Sequence, residues 1–405
     1  MSADSKQRTL LFYCQHALGM GHLMRSLALA EGLQKRFHVA LLSGGRLPAC
    51  ARIPSGIELI ELPPLAMDLG MRLVTDGEKL EDAQLRRKAI ILETYRKLAA
   101  DVVLIELFPF GRKKFSGELL PLLEEARNSL QRPLIGCSLR DILVSRKQEH
   151  DDTAVERANQ FFDVVLVHSD PTFARLEETF HPEIPLQVPV HYTGFVSPEQ
   201  ELPLRHERNR KIVVSAGGGL VGEPLMRTAI EAFPQLHQSH ALEMKVIAGP
   251  FLPEDAWKRL SKMAEGKTGL ALERSVPDLY SELCQAAVSV SQCGYNTAMD
   301  LLRSQVPALV VPFDQGKETE QTNRARKLEA RGLLRVLEQK ELTPERLALG
   351  ICATVEFQPR EATLDLNGAT ASAEILEKLL SQHRSQILVP HSSAWRSEAK
   401  NAGMA

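Results

Sequence analysis

Short apolar runs alternate with longer amphipathic stretches along most of the chain. The short runs predict buried parallel strands, and the longer stretches predict the crossover helices that join such strands. This alternation is typical of the α/β class with doubly wound sheets. The pattern predicts strands at residues 10–14, 39–42, 58–62, 102–105, 134–137, 164–167, 212–215, 244–248, 287–290 and 308–311, and helices at 23–35, 81–99 and 223–233.

A proline-rich segment at 182–203 interrupts this rhythm, and a charged run at 205–211 follows it. Such clusters are typical of linkers, and 405 residues are too many for one ordinary core. We therefore predict two Rossmann-like domains that face each other across a ligand-binding cleft. The predicted divisions are an N-terminal domain (1–195), a linker (196–210), a C-terminal domain (211–366), a helix that could return to the first domain (367–383) and a poorly ordered tail (384–405).

Composition narrows the function classes. The formal net charge is −2, so the charge balance gives no indication of a nucleic-acid partner. The polar amino terminus and the absence of a long apolar run predict a cytoplasmic protein. The six cysteines are scattered without the spacing of metal ligands, which predicts reduced thiols and no metal site.

The first predicted strand runs into a turn that carries Gly19, Gly21, His22 and Arg25 before a helix. Glycine lets the backbone approach a ligand closely, a helix amino terminus favours negative charge, and histidine titrates near neutral pH. The turn is therefore a candidate catalytic site. A tight turn with a capping histidine is the alternative.

Two further turns in the second half point to a phosphate-bearing ligand. Gly217, Gly218 and Gly219 follow a predicted strand, and three consecutive glycines exceed what a plain turn needs. Residues 294–297 open a helix after another buried strand, so their backbone N–H groups can face a diphosphate without a metal. Asp300 lies about one turn further along that helix, where it can accept hydrogen bonds from ribose or merely compensate the helix dipole.

The segments 288–302, 306–312 and 320–325, together with Gly-x-Gly-His-x-x-Arg at 19–25, resemble the GT-B glycosyltransferases. The resemblance covers roughly residues 8–380 and is strongest to the group of the peptidoglycan lipid-intermediate N-acetylglucosaminyltransferases and monogalactosyldiacylglycerol synthases. It implies a GT-B fold and a UDP-sugar donor, with no metal or other cofactor. It also implies a donor site made of Gly217, Gly218, Gly219, Ser275, Val276, Cys293, Gly294, Tyr295, Asn296, Thr297, Asp300, Glu320 and Gln321. Among these, Ser275 and Val276 would meet the base through their backbone, and Glu320 and Gln321 would hold sugar hydroxyls.

The acceptor side rests on an aromatic and basic loop at 106–115. Glu106 would face the cleft, and Arg112 would meet an anionic or lipid-linked acceptor. The phenylalanines of this loop could dip into a membrane surface, which predicts peripheral contact with the inner face of the membrane. Inward packing of the same phenylalanines is the alternative.

These features predict an inverting transferase in which His22 is the general base and the partners are a nucleotide sugar and a hydroxyl acceptor. Arg25 would orient the surroundings of the imidazole or meet acceptor charge. One alternative is a nucleotide-sugar hydrolase of the pseudaminic-acid pathway type, whose opening motif the segment around His22 also resembles. A UDP-sugar 2-epimerase and a non-enzymatic nucleotide-sugar sensor are further alternatives. A dinucleotide-dependent oxidoreductase is disfavoured because Met24 stands where its fingerprint has glycine.

Overall fold

Each half of the chain folds into its own parallel sheet in the computed structural model of the protein. The structure describes residues 7–16, 19–48, 51–67, 72–144, 147–198, 208–314 and 319–387. Helices join consecutive strands throughout the second half and most of those in the first. The predicted α/β class with two doubly wound domains is therefore confirmed.

The first domain is built on a sheet in the order β3-β2-β1-β6-β7-β8-β9, with all pairs parallel. Strands β4 and β5 form a separate antiparallel pair. The strands are β1 (Thr9–Cys14), β2 (His38–Ser43), β3 (Glu58–Glu61), β4 (Ala66–Met67), β5 (Leu73–Val74), β6 (Val102–Glu106), β7 (Leu134–Arg140), β8 (Val164–His168) and β9 (Val190–Tyr192). The helices are α1 (Gly21–Leu33), α2 (Leu80–Leu98), α3 (Ser116–Arg127) and α4 (Gln148–Phe161).

The second domain repeats this arrangement in the order β12-β11-β10-β13-β14-β15. Its strands are β10 (Lys211–Ser215), β11 (Glu243–Ile247), β12 (Leu270–Glu273), β13 (Val288–Ser291), β14 (Ala308–Val310) and β15 (Arg335–Val336). The helices are α5 (Glu223–His240), α6 (Glu254–Ala264), α7 (Leu279–Gln285), α8 (Tyr295–Ser304), α9 (Glu320–Ala330), α10 (Pro344–Val355) and α11 (Gly368–Ile387).

Both sheets reverse their winding direction at one point. In the first sheet the reversal lies between β1 and β6, and in the second it lies between β10 and β13. Loops that leave the carboxyl ends of two such strands diverge and open a crevice, which is where ligands of open α/β sheets bind. The two reversals therefore mark where each domain can hold a ligand.

The last helix, α11, packs against the first domain although it follows the second in sequence. Ala373, Leu376 and Leu380 join the core of that domain together with Leu10 and Val102. Helices α1 and α11 approach so closely that a methyl group added to Gly32 would lie 2.7 Å from Ala369. Helix α11 thus crosses back from the second domain to the first.

The interface itself is a continuous apolar core. Phe173 and Phe195 of the first domain pack with Tyr295 and Leu328 of the second. The ring centroids of Phe195 and Tyr295 are 5.9 Å apart. Buried contacts of this kind fix how the two ligand-binding edges face each other.

Several elements differ from the sequence prediction. Strands β4, β5, β9, β12 and β15 were not predicted; they are two to four residues long and contain no fully buried residue, so they lack a continuous apolar run. Helix α5 continues through Pro234, although a helix ending before that proline was predicted. Helix α11 continues to Ile387, so residues 384–387 are helical rather than part of a disordered tail.

Some predictions fall on residues that the structure does not describe, namely Cys50, residues 199–207 of the linker and residues 388–405 of the tail. The other cysteines are Cys14, Cys137, Cys284, Cys293 and Cys352, and each is a free thiol. Within the described ranges, no helix combines the length and apolarity needed to cross a bilayer.

Candidate active site

The first predicted turn brings His22 to the carboxyl edge of the first sheet. Strand β1 is fully buried and ends at Cys14, and α1 begins at Gly21. Gly19 has a φ of +72°, a left-handed conformation that favours glycine over other residues. His22 is the second residue of α1, and its side chain keeps 19% of its surface exposed. The histidine therefore stands at the sheet reversal with access to the cleft.

Glu106 reaches the same point from the neighbouring strand. It is the last residue of β6, and its carboxylate Oε1 lies 2.6 Å from His22 Nδ1. The same oxygen accepts a hydrogen bond from Arg25 Nη2 at 2.5 Å, and Arg112 Nη2 lies 3.5 Å from Oε2. Adjacent strands at the reversal thus bring a histidine and a carboxylate into contact.

This geometry corrects the predicted placement of three residues. Glu106, Arg25 and Arg112 were expected to line the cleft, with Arg112 meeting the acceptor and Arg25 either orienting the surroundings of the imidazole or meeting acceptor charge. Their side chains are instead 0%, 3% and 8% exposed and lie behind His22. Both arginines pair with Glu106, so these three side chains form a buried cluster that supports the histidine.

The electrostatics of this cluster favour a neutral imidazole. Burial lowers the pKa of His22 to about 4; Glu106 opposes this shift, and Arg112 and Arg25 add to it. Burial raises the pKa of Glu106, but His22, Arg112 and Arg25 outweigh it and hold that pKa well below its usual range. Ionised Glu106 accepts the Nδ1–H hydrogen bond of His22, which leaves Nε2 unprotonated. Such a histidine can accept a proton at neutral pH.

The second domain presents a glycine loop to this histidine-bearing turn. Gly217 and Gly219 have φ values of +56° and +89°. A methyl group added to Gly218 would lie 3.5 Å from Gly19 Cα and 3.7 Å from Met20 N. The loop after β10 and the turn after β1 therefore meet across the cleft.

Helix α8 faces the same gap with its amino terminus. Gly294 is its N-cap, and Asn296 Nδ2 donates a hydrogen bond across the domains to the Gly21 carbonyl at 3.0 Å. Thr297 is buried at 8% exposure. Burial raises the pKa of Asp300 to about 7, with Arg303 opposing and Asp278 adding to the shift. The first turn of α8 thus lies beside the turn that carries His22.

Cys293 and Tyr295 are placed differently from the prediction. Both side chains belong to the apolar core between the domains rather than to the cleft surface. The Tyr295 hydroxyl accepts a hydrogen bond from Val196 N at 2.8 Å and donates one to the His168 carbonyl at 3.2 Å. The backbone of Cys293 is also bonded within the protein, its N–H to Gln321 Oε1 at 3.1 Å and its carbonyl to Arg324 Nη1 at 2.9 Å.

Glu320 and Gln321 begin α9, as predicted, but both already have protein partners. Glu320 accepts from Arg324 Nη2 at 2.7 Å and pairs with Arg140 Nη2 at 2.6 Å. Burial opposes its ionisation, but the two arginines outweigh it and hold the pKa of Glu320 below its usual range. Gln321 Oε1 accepts from Cys293 N and Phe313 N, both at 3.1 Å, and so ties the loops after β13 and β14 together.

A buried ion pair that sequence reasoning missed anchors α9 to the first domain. Arg324 donates two hydrogen bonds, at 2.7 and 2.8 Å, to Asp141 just beyond β7, and both side chains are fully buried. The sequence gives no local signal for this pair, since its members are 183 residues apart.

The remaining candidates lie at the margins of the site. Ser275 is exposed and Val276 partly buried in the segment between β12 and α7. His168 bonds Ser138 and Thr193 through its two ring nitrogens, and burial lowers its pKa to about 3, so it is a structural histidine.

The loop at 106–115 turns its aromatic side chains inward. Phe108, Phe110 and Phe115 are 0%, 2% and 2% exposed. The expectation that these phenylalanines dip into a membrane is therefore wrong. They belong to the core of the first domain.

Comparison with known proteins agrees with this geometry. Residues 212–380 match the model of the glycosyltransferase family 28 C-terminal domain. A curated relative from Natranaerobius thermophilus is the UDP-N-acetylglucosamine–N-acetylmuramyl-(pentapeptide) pyrophosphoryl-undecaprenol N-acetylglucosamine transferase. It is 22% identical over 192 residues, which are 46% of this chain and 52% of the relative. The match thus spans about half the length of that relative.

Solved structures resemble the whole chain. MurG of Acinetobacter baumannii is similar with a TM-score of 0.53 and 17% identity, covering 93% of this chain and 99% of MurG. A protein assigned as a UDP-N-acetylglucosamine 2-epimerase from Listeria monocytogenes has a TM-score of 0.59 and 15% identity, covering 93% and 97% of the two chains. The predicted resemblance is confirmed: the chain has the GT-B fold, and its residues 212–380 match the model of the glycosyltransferase family 28 C-terminal domain.

Proposed function

We propose that this protein is an inverting glycosyltransferase that moves a sugar from a UDP-sugar to a hydroxyl acceptor. The observation that carries the proposal is the contact of His22 with Glu106 at 2.6 Å, in a turn that faces the glycine loop and the α8 amino terminus across the cleft. A base on one side and an anion-binding surface on the other are what such a transfer requires. The family 28 match of the second domain supports the same assignment.

The donor would lie against the second domain. The N–H groups at the start of α8 and the loop of Gly217, Gly218 and Gly219 would offset the charge of the diphosphate. We therefore expect turnover without a divalent metal. Asp300 would bind the ribose hydroxyls, and the backbone of Ser275 and Val276 would meet the base.

The donor sugar would reach Glu320 and Gln321 at the start of α9. Arg140 and Arg324 hold the Glu320 carboxylate in one position, so its oxygens can accept hydrogen bonds from sugar hydroxyls in a fixed direction. Gln321 uses its carbonyl oxygen for two backbone groups, which leaves its amide nitrogen to face a hydroxyl oxygen.

In the chemical step, the acceptor oxygen attacks the anomeric carbon while His22 Nε2 takes its proton. The bond from that carbon to the diphosphate oxygen breaks, and UDP leaves with the electron pair. Glu106 stabilises the imidazolium that forms. In this single displacement the acceptor oxygen enters on the face of the anomeric carbon opposite the departing diphosphate, so the configuration at that carbon is inverted.

The test is a product-resolved assay on the full chain after nucleotide screening. UDP, GDP, dTDP and ADP are compared by thermal shift with and without magnesium, and selective stabilisation by UDP in both conditions is expected. UDP-N-acetylglucosamine and other UDP-sugars are then incubated with a panel of hydroxyl acceptors, and the products are read by NMR. A glycoside of inverted configuration supports the proposal.

The same NMR spectra distinguish the competing reactions. Free sugar released at the same rate with and without acceptor would make the protein a hydrolase. A 2-epimer of the donor would make it an epimerase. Stabilisation by UDP without turnover of any UDP-sugar would favour a nucleotide-sugar sensor.

A further inference from the structure

The guanidinium of Arg25 has few polar contacts for a buried charge. Its Nη2 donates to Glu106 at 2.5 Å and lies 3.4 Å from His22 Nδ1, and its buried Nε has no hydrogen-bond partner among the described residues. The face of the guanidinium lies 5.2 Å from the centroid of the Tyr295 ring. Tyr295 belongs to the second domain, so the other domain supplies the contact that Arg25 lacks in its own. An arginine held over an aromatic face is stabilised by attraction to the ring electrons.

The Tyr295 ring is itself held firmly. Its hydroxyl bonds the Val196 N–H and the His168 carbonyl, both in the first-domain half of the interface. Its ring also packs against Arg324, whose guanidinium lies 5.8 Å from the centroid and is fixed by the buried pair with Asp141. The ring therefore stands between two arginines, one of which supports the His22 cluster.

We propose that Tyr295 is a positioning residue for His22: it presses the Arg25 guanidinium against the Glu106 carboxylate, so that the second domain completes the support of the base carried by the first. The proposal rests on the proposed function, because His22 is the base only there. It differs from the role first predicted for Tyr295, which was direct contact with the donor.

These contacts predict the direction in which the pKa of His22 should change when the Tyr295 ring is removed. Four charged groups influence His22 or lie close to it: Arg25 on its own helix, Glu106 at the end of β6, Arg112 in the following loop and Glu320 on α9. Arg25 and Arg112 disfavour the imidazolium, whereas Glu106 favours it. If Arg25 moves away from Glu106, the carboxylate is less neutralised and the pKa of His22 rises.

The experiment compares Tyr295→Phe, which keeps the ring, with Tyr295→Leu, which removes it. The full chain is labelled at histidine Cε1 with carbon-13, and the His22 signal is identified by its absence in His22→Ala. We expect Tyr295→Leu to raise the pKa of His22 by about one unit, the scale of a nearby charge, and Tyr295→Phe to leave it within about 0.3 unit of wild type. A Tyr295→Leu protein whose His22 titrates as in wild type would overturn the proposal, as would equal shifts in both variants.

A matched control exists in the same domain. The ring of Tyr280 is buried under the Arg303 guanidinium at 4.5 Å, and the groups that shift the pKa of His22, namely Glu106, Arg112 and Arg25, include neither of them. Tyr280→Leu should therefore lower thermal stability without moving the His22 titration. Should Tyr295→Leu fail to fold, Tyr295→Met keeps more volume without an aromatic face and carries the same expectation.

The titration does not depend on turnover, which separates the two proposals. If His22→Ala retained full activity, the proposed function would fail while the NMR shift still reported the contact between the domains. If transfer required His22 but the pKa of His22 were the same in Tyr295→Leu as in wild type, only this inference would fail. Where an acceptor is found, the acid limb of kcat/KM should move with the NMR pKa.

Discussion

The two domains share one strand order but place different chemistry at the point where it reverses. Between β1 and β6, the first domain gathers His22, Glu106 and two arginines whose side chains are buried. Between β10 and β13, the second domain presents glycines and the amino terminus of α8. The first reversal offers titratable side chains suited to accepting a proton, whereas the second offers backbone groups suited to a phosphate.

This difference implies that variants at the two reversals should have separable effects. Changes in the first domain should alter the chemical step and its pH dependence while nucleotide binding persists. Changes in the second should weaken nucleotide binding and leave the histidine unaffected. The four predictions below test that separation, from the largest expected effect to the smallest.

His22→Ala should lower kcat by about 10²- to 10⁴-fold, the range for loss of a positioned general base. Stabilisation by UDP should stay near the wild-type value, because the proposed nucleotide site lies on the other domain. Steady-state kinetics with the UDP-sugar identified in the product assay, together with thermal shift, measure both quantities. His38→Ala is the matched control, since His38 also contacts a carboxylate, Glu58 at 3.1 Å, but on an exposed surface. Full turnover in His22→Ala would show that the first reversal does not supply the base.

Glu106→Gln should lower kcat/KM by about 10²-fold, because an amide fixes the Nδ1–H tautomer less well and does not balance the imidazolium. In wild type, kcat/KM should rise with pH through the His22 pKa of about 4 and be level above it, because only the neutral imidazole accepts a proton. The variant removes the group that raises this pKa, so its acid limb should move to lower pH.

The control for Glu106→Gln is Glu58→Gln, which alters the exposed pair with His38. It should leave the pH profile unchanged. Loss of the buried carboxylate also leaves Arg25 and Arg112 without their partner, at a cost of about 3–5 kcal/mol in the free energy of unfolding. An acid limb that moved upward in Glu106→Gln would contradict this account of the cluster.

The sequence predicted the positions of the turns around the candidate site better than it predicted the side-chain contacts made there. The turns at His22, at Gly217 and at Gly294 were found because a strand, a glycine and a helix start are local signals. Pairings are not local: His22 meets Glu106 over 84 positions, and Arg324 meets Asp141 over 183. Nothing near any of these residues in sequence specifies its partner.

The same limit explains the misplaced roles and the missed strands. Arg25 and Glu106 were predicted to line the cleft, and charged side chains are usually exposed to solvent. In the structure the two side chains are buried and bond each other. Strands β9, β12 and β15 were not predicted, because these edge strands are short and partly exposed. The central strands were found because a parallel strand buried on both faces is apolar throughout.

Gly217→Ala should weaken UDP binding by about tenfold while His22 titrates as in wild type. Alanine at a φ of +56° is strained by about 1–2 kcal/mol, and relief of that strain would turn the N–H groups of the loop away from the diphosphate. Gly266→Ala is the matched control, because Gly266 also has a positive φ, +73°, and open space around its Cα, but lies away from the cleft. Thermal shift with UDP measures the difference, and equal losses in the two variants would point to stability rather than to a phosphate loop.

Arg140→Gln should raise the KM for the UDP-sugar about 3- to 10-fold and leave the Kd of UDP unchanged. Arg140 comes from the first domain, but it pairs with Glu320, the proposed ligand of the donor sugar. Without Arg140, Glu320 keeps only its contact with Arg324, so its carboxylate is no longer held in one direction. UDP carries no sugar to contact Glu320, so its Kd should not change. Lys327→Gln is the control: it breaks another contact between the domains, with Glu178 at 2.6 Å, away from Glu320. A loss of UDP affinity equal to the loss for the UDP-sugar would place Arg140 at the nucleotide or the interface, and the two reversals would then not divide the work as proposed.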